Sequence, residues 1–193
     1  MLENFKDIDS KIDHLDIKGP NIKDLKSQNF NGLNYEPIYK NEKDISESNS
    51  YLPKNDGKWE GERGNSTWIP DVDKVPTGKG SNIEGKSWKE ILTKYEINGI
   101  DFIEGEPNFT EISKGTVKID DFTENRDKNF IQADQKLAEE RKCSPGEIRK
   151  WRQENGYTWH ERSDCKTMDL VPSEIHNNIP HSGGISEKKK QSL

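Results

Sequence analysis

The chain has 193 residues, of which only 28% are hydrophobic and 34% charged, with a net charge of −6. No run approaches the ~20 apolar residues of a membrane span. The first fifteen residues lack the basic start and apolar stretch of a secretory signal, and two cysteines are too few for a disulfide framework.

So polar a composition predicts a moderate domain with a loosely ordered extension. Ile8, Ile12 and Leu15 have helical spacing, which Gly19-Pro20 breaks. Residues 28–57 are rich in Asn, Ser, Lys and Glu and read as linker. The predicted organisation is a partly helical N-terminal extension over 1–56 and one domain over 57–193.

From Lys58 the texture changes. Trp59 and Trp68 flank a turn between Gly61 and Gly64. Arg63 among these glycines is a candidate phosphate contact, since bare backbone lets a ligand approach. The alternative is a surface ion pair with Glu60 or Glu62. Residues 71–85 read as loop. Ser87 and Glu90 form a capping box for a helix with Trp88, Ile91, Leu92 and Tyr95 on its apolar face. Residues 99–103 read as a strand, 104–107 as a turn and 115–119 as a second short strand. Asp120 and Asp121 read as a helix N-terminus or solvated turn rather than a metal site. A helix is predicted over Asp127–Arg141. Another opens at the capping box Ser144-Pro145-Gly146-Glu147 and stops at Asn155-Gly156. Its Arg149, Lys150 and Arg152 are a candidate nucleic-acid backbone contact, against the plainer reading of a solvated face.

Residues 157–184 hold three of the four histidines: His160, His176 and His181. Thr158-Trp159-His160 ends an alternating strand, Ser163 to Lys166 is a polar turn, and Thr167 to Val171 alternates again until Pro172. Ser173 reads as the N-cap of a helix that carries His176 and ends at Pro180. A hairpin returning into a helix brings its first strand beside the helix, which would gather the three imidazoles. Neutral imidazole is the commonest metal ligand. The alternatives are three ordinary surface histidines, or a structural zinc site completed by Cys165. Residues 141–193 carry ten Lys/Arg against seven Asp/Glu, a local +3 that leaves −9 for the rest of the chain. Cationic contacts to nucleic acid are needed locally, not over a whole protein.

This stretch resembles the catalytic core of the HNH/endonuclease VII superfamily, the ββα-metal nucleases, and within it the Trp-His-His type of polymorphic toxin related to colicin DNases. The matching residues are Thr158-Trp159-His160, Lys166-Thr167-Met168, Leu170-Val171-Pro172, His176 and His181-Ser182-Gly183-Gly184. Weaker likeness runs through 61–66 and 114–117. Glu161 stands where the signature has a second histidine.

The resemblance implies an α+β fold with a ββα-metal (HNH/His-Me finger) core at the C-terminus, with helices and short strands around it. It implies metal-dependent hydrolysis of phosphodiester bonds of DNA, or of RNA, by an antibacterial toxin module. His160 is then the general base, Glu161 its orienter or substitute, and His176 and His181 the ligands of a divalent ion (Mg, Mn, Zn or Ni). In the other assignment His160 is a third ligand and Glu161 the base. The implied partners are nucleic acid, DNA ahead of RNA, a cognate immunity protein, and a carrier or secretion apparatus. The toxin would wait in the producer's cytoplasm with its immunity protein, or act in the target-cell cytoplasm. A non-enzymatic, zinc-stabilised adaptor is the alternative function.

Overall fold

The computed structural model describes residues 51–192; the expected N-terminal helix and His14 lie outside them. Helices and antiparallel strands mix in an α+β fold, as expected. Strands β1 (Gly57–Trp59), β2 (Thr67–Pro70), β3 (Ile100–Ile103) and β4 (Glu106–Asn108) form an antiparallel sheet in sequence order. Helix α1 (Trp88–Lys94) lies between β2 and β3 in the chain. Its capping box is present as predicted, Ser87 and Glu90 each satisfying the other's backbone N–H.

The second sheet has the order β5-β7-β6, from β5 (Thr116–Lys118), β6 (Tyr157–Glu161) and β7 (Thr167–Pro172). Helices α2 (Arg126–Arg141) and α3 (Pro145–Glu154) precede the β6–β7 hairpin, and α4 (Ser173–His176) and α5 (Gly184–Gln191) follow it. β7 is buried along its whole length because it is the middle strand. Its alternation feeds two cores. Val171 packs with Trp68, Phe102, Phe109 and Ile175, whereas Met168 and Leu170 pack with Trp159, Ala133 and Leu137. Leu52, before the expected boundary at 56, is buried in the first of these cores.

Four details differ from the sequence expectation. Residues 106–108 are a strand rather than a turn, since Phe102 and Pro107 pair across β3 and β4. Helix α4 has only four residues, and Pro172 rather than Ser173 is its N-cap. The expected loop 71–85 contains a 3-10 turn at Gly78–Gly80. From the sequence, the polar, basic tail after Gly184 is expected to fray, but α5 runs to Gln191, with Gly184 set so close to the Arg162 carbonyl and the Phe122 ring that a Cβ would lie 2.5 Å and 2.7 Å from them.

Candidate metal centre

Strand alternation places His160 and Glu161 on opposite faces of β6. His160 lies opposite Asp169 of β7 and is fully buried. His176 ends α4, and His181 follows the Pro180 break. The three rings meet. Their centroids are 5.3 Å (160–176), 5.0 Å (160–181) and 4.8 Å (176–181) apart, and the Phe109 ring packs on all three at 5.0–5.9 Å. One ring nitrogen from each histidine falls within 4.8 Å of the others.

Hydrogen bonds orient the nitrogens. His181 Nδ1 donates to the Ile179 carbonyl at 2.7 Å, which leaves Nε2 without a proton. His176 Nδ1 faces Asn177 Oδ1 at 3.2 Å, and its Nε2 lies 3.3 Å from His160 Nδ1. That spacing is about the edge of a tetrahedron with metal–nitrogen bonds of ~2.0–2.1 Å. On the far side of His160, Nε2 has no hydrogen-bond partner and lies 3.8 Å from Glu106 Oε1. At that distance the contact is electrostatic rather than a hydrogen bond. The buried carboxylate favours the proton on Nε2 and leaves Nδ1 turned to the cluster.

Burial holds His176 and His181 neutral. It drives His176 well below its ordinary 6.5, helped by the neighbouring His181 and His160. Burial pushes His181 down to about 3, with His160 adding to the shift. Glu106 is raised by burial, but the nearby His160 ring and the Ser163 donors outweigh this and keep it below the usual carboxylate value. Its two oxygens accept from Ser163 N at 2.6 Å and Ser163 Oγ at 2.9 Å. Three ring nitrogens turned on one point, with a carboxylate behind one of them, suit a divalent ion.

Glu161 sits outside this cluster. Its Oε1 accepts from Asn129 Nδ2 at 2.8 Å and its Oε2 from Arg126 Nε at 3.0 Å. Thr123 fixes Asn129 in turn. Yet β6 is an edge strand, and a cleft of about 620 Å³ reaches both His160 and Glu161 from that edge. His176, His181 and Arg126 also line it.

The other expected site residues lie elsewhere. Arg63 donates to the Leu52 carbonyl at 3.0 Å and does not line the cleft. The Arg152 guanidinium points inward, clamped to Asp134 through Nε at 2.8 Å and Nη2 at 3.0 Å. Trp159 Nε1 shares the same carboxylate at 2.8 Å. Arg149 and Lys150 are exposed on α3, away from the cleft, with Lys150 3.9 Å from Glu154. Cys165 does not join the histidines. Its Sγ donates toward the Ser163 and Gly184 carbonyls, and burial raises the thiol to about 11.

Sequence reading missed Glu106, Asn129 and Arg126. Two signals were present. Arg126 puts a cation at a helix N-terminus, where the macrodipole disfavours it. Asn129 falls four residues before Ala133 and eight before Leu137, on the buried stripe of α2.

Residues 99–183 match the family model for the DNase/tRNase domain of colicin-like bacteriocins. The match supports a nuclease toxin domain. It takes in β3 to α4 and all three clustered histidines, and leaves out β1, β2 and α1. No curated protein matches the chain.

Proposed function

We propose that the C-terminal domain, from Leu52 onward, is a divalent-metal-dependent endonuclease of the HNH (ββα-metal) type. It cleaves DNA in preference to RNA and serves as the toxin module of an antibacterial system. The observation that carries this reading is the convergence of three imidazoles at one end of an open cleft. Three protein ligands with an accessible remaining position are the pattern of a catalytic rather than a structural site. Without Cys165 in the cluster, a closed zinc site lacks a fourth ligand among the described residues.

His160 through Nδ1, and His176 and His181 through Nε2, would hold the ion. When bound, a divalent ion there supplies positive charge to the scissile phosphate and the departing 3′ oxygen. With Nδ1 committed to the ion and Nε2 facing Glu106, His160 keeps no nitrogen to take a proton from water. The general base is therefore assigned to Glu161, the second of the two assignments the sequence left open. Asn129 and Arg126 hold its carboxylate at the cleft edge. Arg126, with more than half of its side chain exposed, turns the rest of its guanidinium to the substrate. Arg149 and Lys150 remain candidates for remote backbone contacts, whereas Arg152 is committed to Asp134.

The expected protein partners are an immunity protein that occludes the cleft in the producing cell and a carrier that delivers the domain into a target cell. The test is a nuclease assay on plasmid DNA and total RNA, with chelated protein reloaded with Mg²⁺, Mn²⁺, Zn²⁺ or Ni²⁺. One bound ion per chain and cleavage lost in chelator and in His176→Ala are the expected results. Full cleavage by metal-free protein would overturn the proposal.

A further inference from the structure

One wall of the cleft comes from residues 74–79, and therefore from chain outside the family match. The Gly78–Gly80 turn in this wall is fastened directly to the segment that follows His176. Gly78 N donates to Asn178 Oδ1, and Asn178 Nδ2 donates to Ser81 Oγ at 3.1 Å and to the Glu174 carbonyl at 2.8 Å. The approach is so close that a Cβ on Gly78 would sit 2.4 Å from the Asn177 carbonyl. From behind, Asn82 Nδ2 holds the Pro76 and Lys86 carbonyls at 3.0 and 2.7 Å. The turn is thus braced on both sides.

Braced this way, the turn presents Lys79 in a left-handed conformation (φ 50°, ψ 24°) that disfavours any side-chain-bearing residue. Lys79 lines the cleft and is exposed. Its charge reaches both His176 and His181. Three cations line the cleft among the described residues, and their pairing differs. Lys74 lies 3.7 Å from Asp56, and Arg126 is bonded to Glu161. Lys79 has no carboxylate partner among the described residues. An uncompensated ammonium on a rigid lip beside the three imidazoles is a point charge placed for an anion that enters the cleft.

We propose that Lys79, carried on the Gly78–Gly80 turn and pinned by Asn178, is a substrate-binding residue that grips a backbone phosphate of the nucleic acid beside the three-histidine centre. The inference rests on the nuclease reading, and it assigns part of the binding site to the β1–α1 segment. The lip reads charge and not sequence, so its contribution is alike for every base composition.

The test compares wild type with Lys79→Gln, Lys79→Arg and Lys118→Gln, the last removing the same charge from a strand that does not line the cleft. Binding to a short DNA duplex is measured in chelator, where no cleavage occurs, across a salt series. Loss of one phosphate contact lowers the slope of log affinity against log salt by about 1. That loss is expected for Lys79→Gln alone, with Lys79→Arg close to wild type. With metal, Lys79→Gln raises KM roughly tenfold, as one lost charge-assisted contact implies, while metal affinity and melting temperature stay unchanged. Equal slopes and KM values for Lys79→Gln and wild type overturn this assignment and leave the nuclease standing. Wild type that neither binds nor cleaves nucleic acid under any metal overturns both.

Discussion

At the scale of single residues, the division of labour between His160 and its neighbour Glu161 is set by the pleat. Consecutive residues on β6 face opposite ways, so one joins the imidazoles and the other joins Asn129 and Arg126. The proposed roles then separate in a variant pair. Glu161→Gln keeps the shape and the Asn129 side of the clamp but removes the proton acceptor. It is expected to lower kcat about 10²–10⁴-fold, the span of general-base contributions, with metal affinity intact by calorimetry. His160→Ala is expected to lose metal binding as well as activity. A Glu161→Gln enzyme with wild-type kcat, beside a His160→Ala protein that still binds one ion, would return the base to His160.

At the scale of elements, one carboxylate of α2 ties α3 and the hairpin to that helix. Asp134 takes both arms of Arg152 and the indole of Trp159, and it is almost fully buried, as is Trp159. Asp134→Ala leaves a mostly buried guanidinium and a buried N–H unpaired, a loss of about 3–5 kcal/mol, read as a lower midpoint in urea unfolding. A change below 1 kcal/mol would mean that Arg152 escapes to solvent. This junction also marks how far sequence reading reaches. Apart from β4, the order of strands and helices from 87 to 176 was legible, because capping boxes at Ser87 and Ser144 and the alternation around Pro172 are local signals. The inward turn of Arg152 was not. A basic run on a short helix reads the same whether its third member meets solvent or an aspartate contributed by another helix. Strand β4 was hidden for the same reason: Glu106-Pro107-Asn108 has turn composition, and only pairing with β3 makes it extended. The gathering of the three histidines was legible from the hairpin-to-helix pattern. Glu106 and Lys79 reach the site by tertiary contact alone, so no spacing along the chain announces them.

At the scale of the whole molecule, the centre lies where the two cores meet, and folding must bury an imidazole nitrogen, His160 Nε2, that no hydrogen bond satisfies. The consequence is a metal-free protein weakened at its functional site. His176 and His181 titrate below 6.5 when folded but near 6.5 when unfolded. Protons therefore bind the unfolded chain first as pH falls. The stability that neutral histidines allow is complete above about pH 6.5, and it drains as pH drops from there toward about 3, at up to about 1.4 kcal/mol per histidine per pH unit. A divalent ion that binds only the folded state acts in the opposite direction, adding about 2.7 kcal/mol at a hundredfold excess over Kd. Melting temperatures measured from pH 8 to 4.5, with chelator and with each metal, should show a steep acid decline for the free protein. The metal-dependent gain should be large at pH 8 and vanish as protons displace the ion. In His176→Ala/His181→Ala protein the acid decline should flatten and the metal gain disappear. An acid profile unchanged by removing both rings would place the titrating groups elsewhere, and a metal gain that survived their removal would place the ion elsewhere too.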